Sequence, residues 1–143
     1  MLRASSCVIT LTAIVAALSI TAQAADKTLT LACEGTKTET FYARSERRNV
    51  SLSIIINFAA RTVTGFRQEE RLVELTIDDI SETTISFAGS NSAAMVSYNM
   101  NGTIDRVTGT VEAGLTSSPE EGHGLKTWTT SYSLKCRPAQ RIF

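Results

Sequence analysis

Histidine is almost missing from this sequence: His123 is the only one in 143 residues. That leaves a single candidate base for Ser-His-Asp or Cys-His catalysis and no histidine cluster to hold a metal. Net charge is missing too, since 14 Lys and Arg balance 14 Asp and Glu. A chain without a basic excess lacks the electrostatic footprint of a nucleic-acid binder or of a polybasic membrane-surface protein. Proline occurs twice, cysteine three times and tryptophan once, and only 20% of residues are charged against 43% apolar. The composition suits one small domain with a buried core rather than a disordered segment.

The apolar residues are unevenly spread. Arg3 precedes the run Val8 to Ile20, and Ala22-Gln23-Ala24 follows it. A short positive region, an apolar stretch and an A-x-A site form the pattern of a cleaved secretory signal peptide, and the run is too short for a membrane-spanning helix. Cys7 lies before the apolar run, where a lipoprotein's modified cysteine would follow it. Residues 1–24 are therefore read as a signal peptide and residues 25–143 as one domain of 119 residues with charge −1. Only Cys33 and Cys136 remain, and an even pair in an exported chain points to one disulfide in a periplasmic or secreted protein. A free thiol pair is the rival reading. A metal site is disfavoured because His123 is the only histidine and no second close cysteine accompanies either one.

The mature segment is rich in Thr and Ser, 29 of 119 residues, and its apolar positions recur mostly with period two, the mark of strands. Leu29, Leu31 and Cys33 define a first strand that Gly35 ends. Val50, Leu52, Ile54, Ile56 and Phe58 define the strongest strand, which turns back into Thr62 to Phe66. Gln68-Glu69-Glu70-Arg71 reads as a solvated loop. Val73, Leu75 and Ile77 pair in pattern with Ile85 and Phe87 as a second hairpin, and Gly89-Ser90-Asn91-Ser92 reads as a turn before a strand over 94–100. Asp105 to Gly109 signals a third hairpin, because Asp can bond its own backbone and Gly can take positive φ. Thr116 to Gly124 reads as an exposed loop, and Trp128, Tyr132, Leu134 and Cys136 as a last strand stopped by Pro138. About eight strands with short connections predict an all-β, antiparallel barrel or sandwich whose disulfide joins the first and last strands.

Each candidate site has a plainer reading. His123 sits between two glycines in the polar loop, a poor place to hold a base, and no Gly-x-Ser-x-Gly frames a serine. Glu120, Glu121 and His123 form a possible binding loop, although the spacing matches no metal motif and solvation explains the two acids. Asp78-Asp79 and Glu120-Glu121 are adjacent carboxylates that could act as acid and base, but neighbours on a strand face opposite ways, so neither pair converges through spacing alone, and turn chemistry explains Asp78-Asp79. Arg44, Arg47 and Arg48, just before the strongest strand, could grip a phosphate or carboxylate, or could simply solvate a loop edge. Asn49-Val50-Ser51 and Asn101-Gly102-Thr103 match the N-glycosylation acceptor, which matters only in a eukaryotic secretory pathway. The terminal Phe143 raises the possibility of an outer-membrane barrel, but such strands need about 9 to 11 residues and a lipid-facing apolar band. A soluble domain is the preferred reading.

The leader, Leu31-Ala32-Cys33-Glu34-Gly35, the Asp105 to Gly109 hairpin and Cys136-Arg137-Pro138 together resemble small exported Gram-negative β-proteins of unassigned function. A fainter likeness is to the periplasmic lysozyme inhibitors, small disulfide-bearing barrels, whose central Tyr/Ser/Gly/Trp/Lys pattern this chain lacks. The resemblance implies no cofactor and no active site. The expectation is a non-catalytic periplasmic domain that binds an envelope component, a protein or a small ligand held in a barrel mouth. The alternatives are an inhibitor of a secreted hydrolase and an enzyme using His123.

Overall fold

The computed structural model describes residues 28–66, 69–119 and 126–139. The leader with Cys7, the loop residues Glu120, Glu121 and His123, and Phe143 lie outside the described residues. Eight strands follow one another around a closed antiparallel barrel: β1 Thr28–Phe41, β2 Arg44–Asn57, β3 Thr62–Thr64, β4 Leu75–Ile80, β5 Thr84–Ala93, β6 Val96–Asp105, β7 Thr110–Pro119 and β8 Trp128–Pro138. Every strand pairs with its neighbours in sequence, and β8 returns to pair with β1. Barrel rather than sandwich is therefore the outcome, in up-and-down order.

The seam between β1 and β8 carries the staple. Cys33 and Cys136 are direct cross-strand partners and form a disulfide across 103 residues of sequence, with Cα atoms 4.0 Å apart. Alternation does the rest of the sorting. Leu31, Leu52, Ile54, Ile56, Leu75, Ile85, Val111 and Leu134 are buried, while Ser51, Ser53, Thr103, Glu112, Ser131 and Ser133 between them are exposed. Apolar inside and hydroxyl outside is the reverse of a membrane barrel's lipid-facing band, and no helix among the described residues is long and apolar enough to cross a membrane.

At one end the barrel is sealed by tight turns. Asp105 Oδ1 accepts the backbone N–H groups of Val107 and Thr108, both at 2.8 Å, and Gly109 takes φ 70°. Those two amides hold the Asp105 carboxyl below its ordinary range. At the other end the connection from β3 to β4 folds inward as a plug. Phe66 is fully buried, its ring 5.6 Å from Phe87 and 5.3 Å from Tyr132, and a 3-10 turn at Glu69–Arg71 follows. Gly65 lets the plug start: at φ 121°, a Cβ there would stand 2.1 Å from the Ser53 carbonyl oxygen. The lumen is thus filled by side chains.

Several local expectations are corrected. Gly35 does not end the first strand, which continues to Phe41 because β2 and β8 both pair with it that far. Arg44 to Asn49 belong to β2 and are not a loop. Gly89 to Ser92 lie in β5, whose turn falls at Ala94 and Met95, both at positive φ. Thr116 to Pro119 are strand, with Ser117 buried. Glu69 is not solvated; it is 1% exposed.

Candidate functional site: a charged cleft along the open side of the barrel

β1 and β2 carry their alternation past the apolar core into charge. The inward positions Leu29, Leu31 and Cys33 of β1 are followed by Gly35, Lys37, Glu39 and Phe41. Those of β2 run upward as Ile54, Leu52, Val50, Arg48, Glu46 and Arg44, and the register sets Lys37 opposite Arg48 and Glu39 opposite Glu46. β8 completes the wall with Tyr132 beside Lys37 and Trp128 beside Phe41. The lumen therefore changes from hydrocarbon to ions within four residues of the disulfide, two inward positions along β1.

Lys37 organises the ions. Its ammonium lies 2.9 Å from Glu69 Oε1, 3.1 Å from Glu39 Oε1 and 5.5 Å from the Tyr132 ring centre. Burial would lower the Lys37 pKa, but the hydrogen bonds and charges of Glu69 and Glu39 outweigh it and hold it above its ordinary value. The Glu39 carboxyl is held below its ordinary value, first by its hydrogen bond from Lys37 and also by Arg48. Arg48 pairs with Glu39 Oε2 and, at 3.2 Å, with Glu46. One atom is left over: Glu69 Oε2 is buried and has no hydrogen-bond partner among the described residues. An unsatisfied buried carboxylate oxygen costs more than any net gain from a typical hydrogen bond.

Glu69 is one wall of a cleft of about 460 Å³ that is also lined by Lys37, Glu39, Tyr132 and the unbroken run Arg48 to Leu52 of β2. A second cleft, sharing Glu39, continues past Phe41, Arg44, Glu46 and Trp128 to the tip of the β1–β2 hairpin. The opening exists because β3 is only three residues long. β2 pairs with β1 along its whole length, but β3 meets it only at Ile55–Asn57. Above that point no described strand covers its other edge.

Of the residues expected from sequence, Cys33 and Cys136 are joined as a disulfide. The three arginines do not converge as a clamp. Arg44 and Arg48 occupy inward positions, while Arg47 points to the outer face and its Nη2 donates to Thr36 Oγ1 at 3.2 Å. Arg48 is also occupied by Glu39 and Glu46. Adjacent strand residues face opposite ways, so three arginines in five positions cannot share one anion. Glu120, Glu121 and His123 are outside the described residues, and no metal-holding group of His, Cys, Asp and Glu occurs among the described ones. Lys37, Glu39, Glu69, Tyr132 and Trp128 were not singled out by sequence. The available signal was the charge at odd positions of β1 in phase with Leu29, Leu31 and Cys33. Comparison with protein-family models, with curated proteins and with solved structures finds no match.

Proposed function

We propose that this chain is an exported, non-catalytic binding domain, acting in the periplasm or outside the cell, whose ligand site is the charged cleft beside β2. The observation that carries it is Glu69 Oε2, a buried acceptor without a partner among the described residues, on a side chain that lines the cleft. A site with a spare acceptor and fixed cations suits a polar ligand with hydrogen-bond donors. It does not suit an apolar molecule, because Phe66, Phe87 and Tyr132 already fill the lumen. Export is supported by the leader pattern, and the disulfide is compatible with an oxidising compartment. Binding rather than catalysis is supported by the ion pairs: Glu39, held ionised between Lys37 and Arg48, is a poor proton donor.

The test is retention from a fractionated envelope extract on the immobilised domain and on a Lys37→Met/Glu69→Leu variant that replaces the buried ion pair of the cleft with apolar side chains. Loss of the retained component in the variant, with the circular dichroism of the barrel intact, supports the reading. Equal retention by both proteins places binding elsewhere and overturns it. The inhibitor reading draws support from the hairpin tip, where Phe41 and Tyr42 are 54% and 53% exposed. It predicts that Phe41→Ser/Tyr42→Ser relieves inhibition of a secreted hydrolase. The third reading, an enzyme using His123, predicts activity that disappears in His123→Ala.

A further inference from the structure

The shape of the cleft points to a particular kind of occupant. Arg48, Asn49, Val50, Ser51 and Leu52 all line it, although alternate residues of a strand face opposite sides of the sheet. A cavity bordered by five consecutive strand residues runs along the strand's edge rather than over one of its faces. The backbone phase follows from the disulfide. In an antiparallel pair, the closely spaced Cα positions are those that exchange no backbone hydrogen bonds. Cys33 and Cys136, 4.0 Å apart, are such a pair, so Cys33 directs its N–H and C=O at Leu52, its partner on β2. Leu52, Val50, Arg48 and Glu46 then bond to β1. Ser51, Asn49, Arg47 and Ser45 present their N–H and C=O groups to the edge that no described strand covers. The placement of the Ser53 carbonyl oxygen against Gly65, on the β3 side, agrees with this phase. Ser45, Arg47, Asn49 and Ser51 are all exposed.

We propose that this edge of β2 takes an acidic, extended peptide segment of a partner as an added strand. This deepens the binding reading above and rests on it. Uncovered edges pair readily with extended chains, main-chain bonds supplying affinity and alternate side chains supplying selectivity. The charge selects the partner. Arg44, Arg47 and Arg48 against Glu46 leave the edge at +2, and Arg44 and Arg47 have no carboxylate partner among the described residues. A second copy of the same edge would bring like charge against like charge, whereas Asp or Glu side chains complement it. Inward-facing side chains of the added strand enter the cleft, where one hydrogen-bond donor satisfies Glu69 Oε2.

The probe is a nine-residue peptide of alternating Asp and Thr, titrated into the isotope-labelled full chain while amide exchange is followed. Addition of a strand protects the Ser45, Arg47, Asn49 and Ser51 amides, leaves the β1-bonded amides of Arg48 and Val50 unchanged, and weakens with salt. Asn49→Pro removes one edge donor without touching the β1 ladder, since proline is tolerated where N–H faces outward. It is expected to weaken binding by about tenfold or more. The same peptide methylated on alternate backbone nitrogens should bind wild-type protein equally poorly, a result that does not depend on the variant folding. Affinity unchanged by both modifications overturns strand addition. Protection of the same four amides without peptide, rising with protein concentration, also overturns it in favour of a second copy. No response to the peptide, while an envelope component is still lost from the Lys37→Met/Glu69→Leu variant, overturns the peptide and leaves the cleft as the ligand site.

Discussion

Replacing Lys37 with Met removes the one cation paired with Glu69 among the described residues, and the structure sets the size of the effect. Glu69 keeps only 2% of its side-chain exposure, Lys37 only 13%, and their charged atoms are 2.9 Å apart. Glu39 keeps Arg48 when Lys37 is lost, so the cost falls on Glu69, left as a buried and uncompensated carboxylate. Breaking one side of a buried pair typically costs about 3 to 5 kcal/mol. For a domain of this size that lowers the melting midpoint by about 12 to 20 °C, at roughly 4 °C per kcal/mol. The double variant Lys37→Met/Glu69→Leu should recover most of the loss, because an apolar pair of similar volume avoids the desolvation of both ions. Urea melts can be followed at Trp128, the only tryptophan in the chain, which stands at the mouth opposite Phe41. A single variant no less stable than the double would refute the reasoning, since it would mean that Glu69 is not held by Lys37 in the folded state.

The staple, the glycines and pH give further tests. Cys33→Ala/Cys136→Ala releases a loop spanning 103 residues and should cost about 2 to 4 kcal/mol, seen as a lowered midpoint without reductant and no further change with it. Gly102→Ala puts a Cβ 2.4 Å from the Phe87 ring and 2.8 Å from Ala113; it should destabilise by about 1 to 3 kcal/mol. Gly114→Ala, whose nearest neighbour would be 3.8 Å away, should be neutral or stabilising by up to about 1 kcal/mol; equal effects at the two sites would contradict the packing. Glu39 and Asp105 titrate lower when folded than their ordinary 4.5 and 3.8. The stability they add is full above those values and lost as pH falls through the depressed ones. Lys37 is raised above 10.5, so its share is full below that value and lost as pH climbs through the raised one. Melting midpoints should therefore be flat, as far as these groups go, between about pH 5 and 10, and Lys37→Met should flatten the alkaline arm.

How much of this was legible depends on whether one residue or a pair of distant segments decides the outcome. Alternation in Leu29 to Cys33, Val50 to Ile56 and Tyr132 to Cys136 is local, and so is the Asp105 to Gly109 turn; those elements are readable because each carries its own signal. The upper halves of β1 and β2 are different. Thr36 to Phe41 and Arg44 to Asn49 contain no apolar alternation, and what keeps them extended is pairing across a turn at Tyr42 and Ala43, with β8 along the other edge of β1. Gly35 looked like an end because glycine weakens strands. Here it permits close approach, since a Cβ would stand 2.2 Å from the Ser133 carbonyl oxygen. Glu69 was hidden for a third reason: nothing near it in sequence predicts a buried acid. Its partner Lys37 lies 32 positions away and meets it only once the β3–β4 connection turns inward.

The disulfide and the open edge are parts of one mechanical arrangement. β1 lies between β8, which holds it covalently at Cys136, and β2, which carries the uncovered edge. Above Ile55 no described strand but β1 pairs with β2, so among the described strands β1 alone sets its position over the cleft. Cys33 is the last inward residue of β1 below Gly35 and Lys37, so the staple fixes the strand just beneath the ions it must aim at Glu69. A closed barrel gains nothing at an edge it does not have, but this barrel is closed at one end and open along β2 at the other. Edge strands that remain accessible are usually protected by charge against indiscriminate pairing. Arg44, Glu46, Arg47 and Arg48 provide that protection, and the same arginines set the sign of the segment that can still be admitted.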